Sequence, residues 1–281
     1  MSESMIIAST FEELHTARSL LQEPMGFVPT MGFLHEGHLA LVRRANQECA
    51  SVVASIFVNP AQFGANEDLS KYPRDLKRDL SLLEEAGADL VWTPTPEIMY
   101  PPSFQTWVTV EDLTQPLEGA IRPSHFRGVT TIVAKLFNGI QPQKAYFGQK
   151  DAQQVAVIKR MTRDLDFPVE IVICPTVREP DGLAMSSRNS YLSPEERQAA
   201  TVLFRALTAA QTAYSTGERK AVTLRNIISE TMVSEPLAQL QYVSCADFES
   251  LKELEEITGK TLLSMAAFVG KTRLIDNFIL E

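Results

Sequence analysis

The stretch SVVASIFV, residues 51–58, is apolar, rich in β-branched residues and bounded by Asn59-Pro60. This composition is typical of a strand buried on both faces. Strands covered on both sides belong mainly to parallel sheets, whose crossover helices pack on each face. The stretch therefore indicates an α/β fold.

The sequence on either side of this stretch alternates in the same way. Thr10 and Glu13 form a capping-box pattern at the start of a helix. The predicted helices cover about 10–22, 39–45, 74–86, 127–140 and 151–163, and the predicted strands are 26–28, 51–58, 89–92, 144–147 and 170–173. We expect a Rossmann-like parallel sheet that binds ligands at the carboxyl ends of its strands.

The pattern changes beyond Pro175. A polar loop runs to Ser193, where a helix opens, and another helix at 219–233 precedes strands near 239–246, 263–269 and 273–279. We therefore predict two domains: a Rossmann-like catalytic domain over 1–177 and a smaller α+β lid domain over 178–281. The loop carries a Ser-Ser-Arg cluster that a simple spacer does not need.

The composition excludes several classes of protein. With 281 residues, 44% hydrophobic, 22% charged, 13 Gly and 16 Pro, the chain is globular and neither disordered nor fibrous. A net charge of -9 disfavours a nucleic-acid partner, although a local phosphate site stays compatible with it. The three cysteines are predicted to be free thiols of a reducing compartment. Because no apolar run approaches the roughly 20 residues of a membrane span, we expect a soluble cytoplasmic protein with no membrane partner.

The most informative motif is PTMGFLHEGHL, residues 29–39, between the first predicted strand and the second predicted helix. Its two imidazoles and two glycines meet at a helix N-terminus, which indicates an anion site suited to phosphate. Two alternatives stay open: one imidazole caps the helix and the other packs in the core, or the pair binds zinc. Only His15 and His125 are left to complete a zinc site. The sequence has neither a P-loop nor a Gly-x-Gly-x-x-Gly motif.

Three further polar clusters follow predicted strands, at the edge where such sheets bind ligands. They are FVNPAQFG at 57–64, YFGQKD at 146–151 with Gln153 and Gln154 behind it, and DGLAMSSRN at 181–189. Each cluster alone is compatible with a solvated turn or a helix cap. Together they indicate one ligand site.

These motifs carry a family resemblance. The segment His35-Glu36-Gly37-His38 resembles the His-x-Gly-His motif of the nucleotidyltransferase superfamily, and Met185-Ser186-Ser187-Arg188 resembles its second, Lys-Met-Ser-Lys-Ser-like loop. With Pro-Thr-Met-Gly, Val-Asn-Pro-x-Gln-Phe, Tyr-Pro-Arg, His-Phe-x-Gly-Val and Phe-Gly-x-Lys-Asp in order over 29–189, the chain is similar to the pantoate–β-alanine ligases.

The resemblance implies a two-step reaction: ATP and pantoate give pantoyl-adenylate and pyrophosphate, and β-alanine then displaces AMP. It implies catalytic roles for His38, His35, Lys150 and Arg188. The ATP-binding residues it implies are Met31, Gly32, Phe33, Leu34, His35, Glu36, Gly37, His38, Gly148, Gln149, Lys150, Asp151, Val177, Met185, Ser186, Ser187 and Arg188. Those for pantoate and β-alanine are Gln62, Gln154, Asn59, Tyr72 and Arg127, with Asp79 on the metal side. Mg²⁺ accompanying ATP and a homodimer are also implied.

Two other classes of function remain at this stage. One is an adenylyltransferase that joins a nucleotide to a phosphorylated small molecule, although such chains are shorter and lack the contexts of Gln62 and Gln154. The other is a catalytically idle nucleotide-binding module or a fragment of an aminoacyl-tRNA synthetase. The net negative charge, and the lack of a run of basic residues that could bind tRNA, weigh against a tRNA-synthetase fragment.

Overall fold

The computed structural model describes residues 4–64, 67 and 69–281, and it confirms the α/β class. The helices are α1 Phe11–Arg18, α2 Glu36–Glu48, α3 Leu76–Ala86, α4 Pro96–Met99, α5 Glu118–Ile121, α6 His125–Ile140, α7 Ala152–Asp164, α8 Pro194–Ala199, α9 Val202–Ser215 and α10 Ala221–Val233. The strands are β1 Ile6–Ala8, β2 Met25–Thr30, β3 Ser51–Ile56, β4 Leu90–Trp92, β5 Lys144–Gly148, β6 Glu170–Cys174, β7 Ala238–Asp247, β8 Thr261–Val269 and β9 Thr272–Leu280.

Two compact units divide the chain. One comprises Met1–Gly148 and Val157–Cys174, and the other comprises Gln149–Ala156 and Pro175–Glu281. The first unit contains a six-stranded sheet in the order β1-β4-β3-β2-β5-β6, in which every recorded pairing is parallel. In chain order, β2, β3 and β4 are added toward one edge of the sheet, whereas β5 and β6 are added toward the opposite edge. The switch point therefore lies between β2 and β5. Ligands of open parallel sheets bind at such a point.

Side chains of β2 show why this sheet is covered on both faces. Val28 packs in a cluster with Leu34 and Val42, toward α2, whereas the adjacent Phe27 meets Phe137 of α6 edge-to-face at 6.4 Å. Successive strand residues point to opposite faces. The helices therefore bury both sides of the sheet, as the apolar stretch at 51–58 predicts.

The second unit is built on an antiparallel sheet in the order β7-β8-β9. Leu203 and Leu207 of α9 and Leu224 and Ile228 of α10 form one buried cluster with Leu263 of β8 and further strand residues. Three predicted strands and the predicted helix at 219–233 correspond to β7, β8, β9 and α10.

The structure contains elements that the sequence pattern did not indicate. The strand β1 has only three residues and pairs with β4, so its periodicity is too short to recognise. The helix predicted to open at Ser193 ends at Ala199, and α9 follows after a turn in which the Thr201 N–H donates to the Gln198 carbonyl. No helix in the described part of the chain is long and apolar enough to cross a bilayer.

Candidate active site

The loop between β2 and α2 has a backbone that depends on a buried carboxylate. Gly32 and Phe33 have φ angles of 80° and 50°, which turn the chain sharply after β2. Asp79 of α3, 1% exposed, accepts the Phe33 N–H through Oδ2 at 2.7 Å and the Leu34 N–H through Oδ1 at 2.8 Å. A Cβ at residue 32 would lie 3.0 Å from Asp79 Oδ2, so the turn requires glycine on both conformational and steric grounds.

Both imidazoles of the motif cap helix α2. His35 is the N-cap residue, and its Nδ1 accepts the Gly37 N–H at 3.2 Å, while the Nδ1 of His38 accepts the His35 N–H at 3.4 Å. The ring centroids are 4.1 Å apart. Since each Nδ1 acts as an acceptor, the proton of each neutral ring resides on Nε2. His35 is thus a helix cap, as one alternative has it, whereas His38 belongs to the same capping box and is not simply a core residue.

The helix end adds to this electrostatic environment. The N-terminus of an α-helix carries about half a positive charge. Arg78, which precedes Asp79 in sequence, donates to the Leu34 carbonyl at 3.0 Å and lies over the Phe33 ring at 5.6 Å. The loop from Met31 to His38 therefore combines helix dipole, imidazole donors and a nearby guanidinium. Leu34 itself is buried in the core, and its N–H and carbonyl are bonded to Asp79 and Arg78, so this residue shapes the loop.

The loop that follows β3 carries two buried amides. Asn59 is 1% exposed and Gln62 is 8% exposed. Asn59 Nδ2 donates to Gln62 Oε1 at 2.8 Å and to the Gly128 carbonyl at 3.1 Å, and Asn59 Oδ1 accepts the Tyr100 hydroxyl at 2.8 Å. With its amide engaged on both sides, Asn59 is placed to orient Gln62. Because the side-chain oxygen of Gln62 accepts from Asn59, the Nε2 hydrogens of Gln62 point away from Asn59, toward other partners.

The N-terminal part of α6 packs directly on this turn. His125 Nδ1 lies 2.9 Å from the Gln62 carbonyl oxygen, and Arg122 donates to the same oxygen at 3.3 Å. Burial, reinforced by the Arg122 charge, lowers the pKa of His125 to about 4, so this ring is neutral at physiological pH. Burial raises the pKa of Tyr100, the hydroxyl donor to Asn59, to about 12. Both groups therefore act as stable neutral hydrogen-bond partners.

Two other residues predicted to bind substrate lie near these loops in sequence but differ in exposure. Tyr72 is buried, and its ring meets Phe63 edge-to-face at 5.8 Å, next to Gln62 in sequence. Arg127 is exposed at the start of α6 and stacks over Trp107 at 4.7 Å. The structure brings Asn59 and Gln62 into direct contact.

The second unit holds the remaining predicted residues except Gly148, which ends β5 in the first unit. The Val177 carbonyl accepts the Met185 N–H at 3.0 Å, and Ser186 caps the short 3-10 turn Ser187–Tyr191 by accepting the Arg188 N–H. Val177 is thus hydrogen-bonded to the start of the segment Met185–Arg188. Lys150 lies in a 3-10 turn, Gln149–Asp151, with its Nζ 3.6 Å from Asp151, and Gln154 is half-buried on the following helix.

No group of three potential metal-ligating side chains occurs among residues 4–64, 67 and 69–281. The sequence places Asp79 on the metal side of the site. Its two oxygens accept the backbone N–H groups of Phe33 and Leu34, which shapes the loop between β2 and α2. The sequence does not mark Arg78 or Tyr100 as site residues, and His125 enters there only as a possible zinc ligand and within the His-Phe-x-Gly-Val motif. Their only signal is proximity to Asp79, Asn59 and Gln62, which becomes visible once the chain is folded.

Known proteins match this chain over nearly its whole length. The family model described as pantoate-beta-alanine ligase matches residues 6–279. Pantothenate synthetases from Roseiflexus sp. (strain RS-1) and Herpetosiphon aurantiacus are 59% and 60% identical over 277 residues, which is 99% and 98% of this chain and all of each relative. The crystal structure of the pantothenate synthetase from Thermus thermophilus has a TM-score of 0.94 at 51% identity, covering 98% of this chain and 99% of that one. That of the Francisella tularensis ligase, described as complexed with beta-gamma ATP and beta-alanine, has a TM-score of 0.80 at 34% identity, covering 98% of both chains.

Proposed function

This chain belongs to the pantoate-β-alanine ligase family, and we propose that it performs its reaction in two steps at the residues described above. The chain is an ATP-dependent ligase that joins pantoate to β-alanine. In the first step a carboxylate oxygen of pantoate attacks the α-phosphorus of ATP, and pyrophosphate leaves. In the second step the β-alanine amine attacks the acyl carbon, an amide bond forms, and AMP leaves.

The observation that carries this proposal is the pair of imidazoles that meet in the capping box at the start of α2. Negative charge builds up on the phosphate oxygens while pyrophosphate leaves, so catalysis depends on positioned donors. We assign that role to His38 and His35, and we assign the loop Met31–His38 to ATP. In the second unit, Lys150 and Arg188 are the proposed catalytic cations. Gly148–Asp151, Val177 and Met185–Arg188 are assigned to ATP.

The neutral amides of Gln62 and Gln154 are assigned to pantoate, and Gln62 also to β-alanine. A fixed positive charge beside the carboxylate would hold pantoate in its ground state and weaken it as a nucleophile. An amide donor orients the carboxylate and hydroxyl groups without that penalty. The Asn59–Gln62 hydrogen bond supports this assignment, because it directs the Gln62 Nε2 donors away from Asn59. Asn59 itself, Tyr72 and Arg127 remain proposed contributors to this part of the site.

Several further properties belong to the same proposal. Mg²⁺ enters with ATP as part of the substrate, held through phosphates and water. We place the enzyme in the cytoplasm, which agrees with its three free thiols. A homodimer, and closure of residues 178–281 as a lid over a catalytic domain formed by 1–177, complete the proposal.

The direct test incubates the purified protein with ATP, Mg²⁺ and pantoate, with and without β-alanine, and measures pyrophosphate, AMP and pantothenate. We expect pyrophosphate to require pantoate, and AMP and pantothenate to appear only when the amine is added. Pyrophosphate release that ignores pantoate would contradict the assigned acceptor. Phosphorylated small molecules would then be the acceptors to test next.

A further inference from the structure

Strand β9 carries two adjacent polar residues that are almost completely buried. Asp276 is 2% exposed and Asn277 is 3% exposed. Because neighbouring residues of a strand point to opposite faces, the two side chains leave the sheet on different sides. Buried polar side chains are costly unless they are fully hydrogen-bonded, so the partners of each indicate what the pair does.

Asn277 holds the backbone of the turn that contains Lys150. Its Nδ2 donates to the carbonyl of Lys150 at 2.8 Å and to the carbonyl of Gln149 at 3.1 Å. Its Oδ1 accepts the side-chain amide of Gln149 at 3.3 Å. One buried amide therefore makes three contacts with two consecutive residues of a short turn, and it fixes the position from which the Lys150 side chain extends.

Asp276 acts on the other side of the sheet through Arg178. The Asp276 carboxylate and the Arg178 guanidinium form a bidentate salt bridge, with N···O distances of 2.7 and 2.8 Å. The guanidinium also lies over the rings of Phe204 and Phe278, at 4.9 and 5.1 Å from their centroids. Arg178 also donates to the Gly182 carbonyl at 2.9 Å. Arg178 thus connects Asp276 to the turn at Gly182, in the hairpin-like segment that leads into Met185–Arg188.

The two halves of this arrangement are joined in the strand itself. The backbone N–H of Asn277 donates to Asp276 Oδ1 at 2.8 Å. A shift of Asp276 is therefore transmitted to the residue that holds Lys150. All of these residues belong to the same compact unit, Gln149–Ala156 with Pro175–Glu281.

We infer that Asp276 and Asn277 form a positioning pair that sets two ATP-binding segments relative to each other, the turn at Lys150 and the loop at Met185–Arg188. The inference rests on the proposed function, through the assignment of those segments to ATP. Neither residue is a catalytic residue, because each acts through the groups it holds.

The test uses two variants that keep size or charge while removing the contacts. Asn277→Asp replaces the donor with a carboxylate that faces two carbonyl oxygens. Arg178→Lys keeps a cation but loses the planar fork that matches Asp276. For each we expect the KM for ATP to rise about 10-fold or more, as small displacements of positioned groups do elsewhere, with the KM for pantoate and for β-alanine unchanged. Initial rates with each substrate varied in turn, together with Tm, provide the measurement.

Two controls keep the result interpretable. Arg197 forms another bidentate salt bridge of this unit, with Asp181 at 2.8 and 3.0 Å, but this one is exposed. Arg197→Gln removes it and should leave all three KM values unchanged. Lys150→Ala tests the proposed function on its own. If Lys150→Ala leaves the KM for ATP unchanged, the assignment of that turn to ATP is wrong. The positioning pair is refuted if Lys150→Ala raises the KM for ATP while Asn277→Asp and Arg178→Lys keep the wild-type KM values. It is also refuted if those two variants shift all three KM values equally.

Discussion

The substitution Gly128→Ala tests whether the close contact between α6 and the turn of Asn59 and Gln62 matters for the reaction. A Cβ at this position would lie 2.2 Å from the Ala61 carbonyl oxygen, 2.5 Å from its carbon and 2.8 Å from the Gln62 nitrogen. These are backbone atoms, which cannot rotate away. Because even the closest C–H···O contacts keep about 3.3 Å, the helix and the turn must separate by about 1 Å.

That displacement acts on the amide pair. The Gly128 carbonyl accepts from Asn59 Nδ2 at 3.1 Å, so the bond that orients Asn59 lengthens with it. A misplacement of about 1 Å can lower a rate by about 100-fold. We expect pantoate-dependent pyrophosphate release to fall by about that factor, with a raised KM for pantoate and little change in the KM for ATP. The overpacking cost of about 1–3 kcal/mol is partly offset by the gain of about 1 kcal/mol in helix propensity.

Gly139→Ala is the matched control on the same helix. Its Cβ would meet only side-chain atoms, of Leu14, Trp92 and Phe11, at 3.2, 3.4 and 3.5 Å. It has the same gain in helix propensity without disturbing the turn. Steady-state pyrophosphate release with pantoate varied, measured for both variants, checks the expectation. Equal pantoate dependence of the two variants would refute the reasoning.

Three further predictions follow from the same site. His38→Ala should slow single-turnover adenylate formation by about 100-fold or more, and His38→Asn should be equally slow but more stable, because its side-chain oxygen can replace the Nδ1 cap. Asp79→Asn leaves one side-chain acceptor for the N–H groups of Phe33 and Leu34. We expect the free energy of unfolding to drop by about 1–3 kcal/mol and the KM for ATP to rise. An unchanged midpoint of urea unfolding would contradict this. The pKa of His125 is lower in the folded chain, about 4, than its ordinary value of 6.5, so the unfolded chain takes up the proton first as pH falls. Stability should therefore be lost between pH 6.5 and 4, and His125→Gln should flatten that part of a series of urea titrations.

Features encoded by local sequence were predictable. The Thr10 capping box forms as expected, since the Glu13 N–H donates to Thr10 Oγ1 at 3.2 Å and the Thr10 N–H donates to Glu13 Oε2 at 3.1 Å. The apolar stretch at 51–58 yields strand β3 over Ser51–Ile56, whose residues are buried up to Ser55. Such signals need only a few consecutive residues, and the residues that carry them contact one another in the fold.

Features that join distant parts of the chain were not predictable in this way. Asp79 reaches Phe33 across 46 positions, and Asn277 reaches Lys150 across 127. Nothing in the immediate neighbours of either residue indicates these contacts. The sequence therefore indicates which loops carry chemistry, whereas only the folded chain shows which buried side chains hold those loops in place.

The discontinuous make-up of the second unit bears on how the protein can be dissected. A gene fragment encoding residues 175–281 alone would contain the antiparallel sheet but omit Gln149–Ala156, which packs with it. Asn277 would then lose the two carbonyl acceptors and the amide donor that satisfy it. Excision at a single linear boundary would thus leave a buried polar group without its partners. A faithful subdomain would have to restore the short helical segment by fusion or by circular permutation.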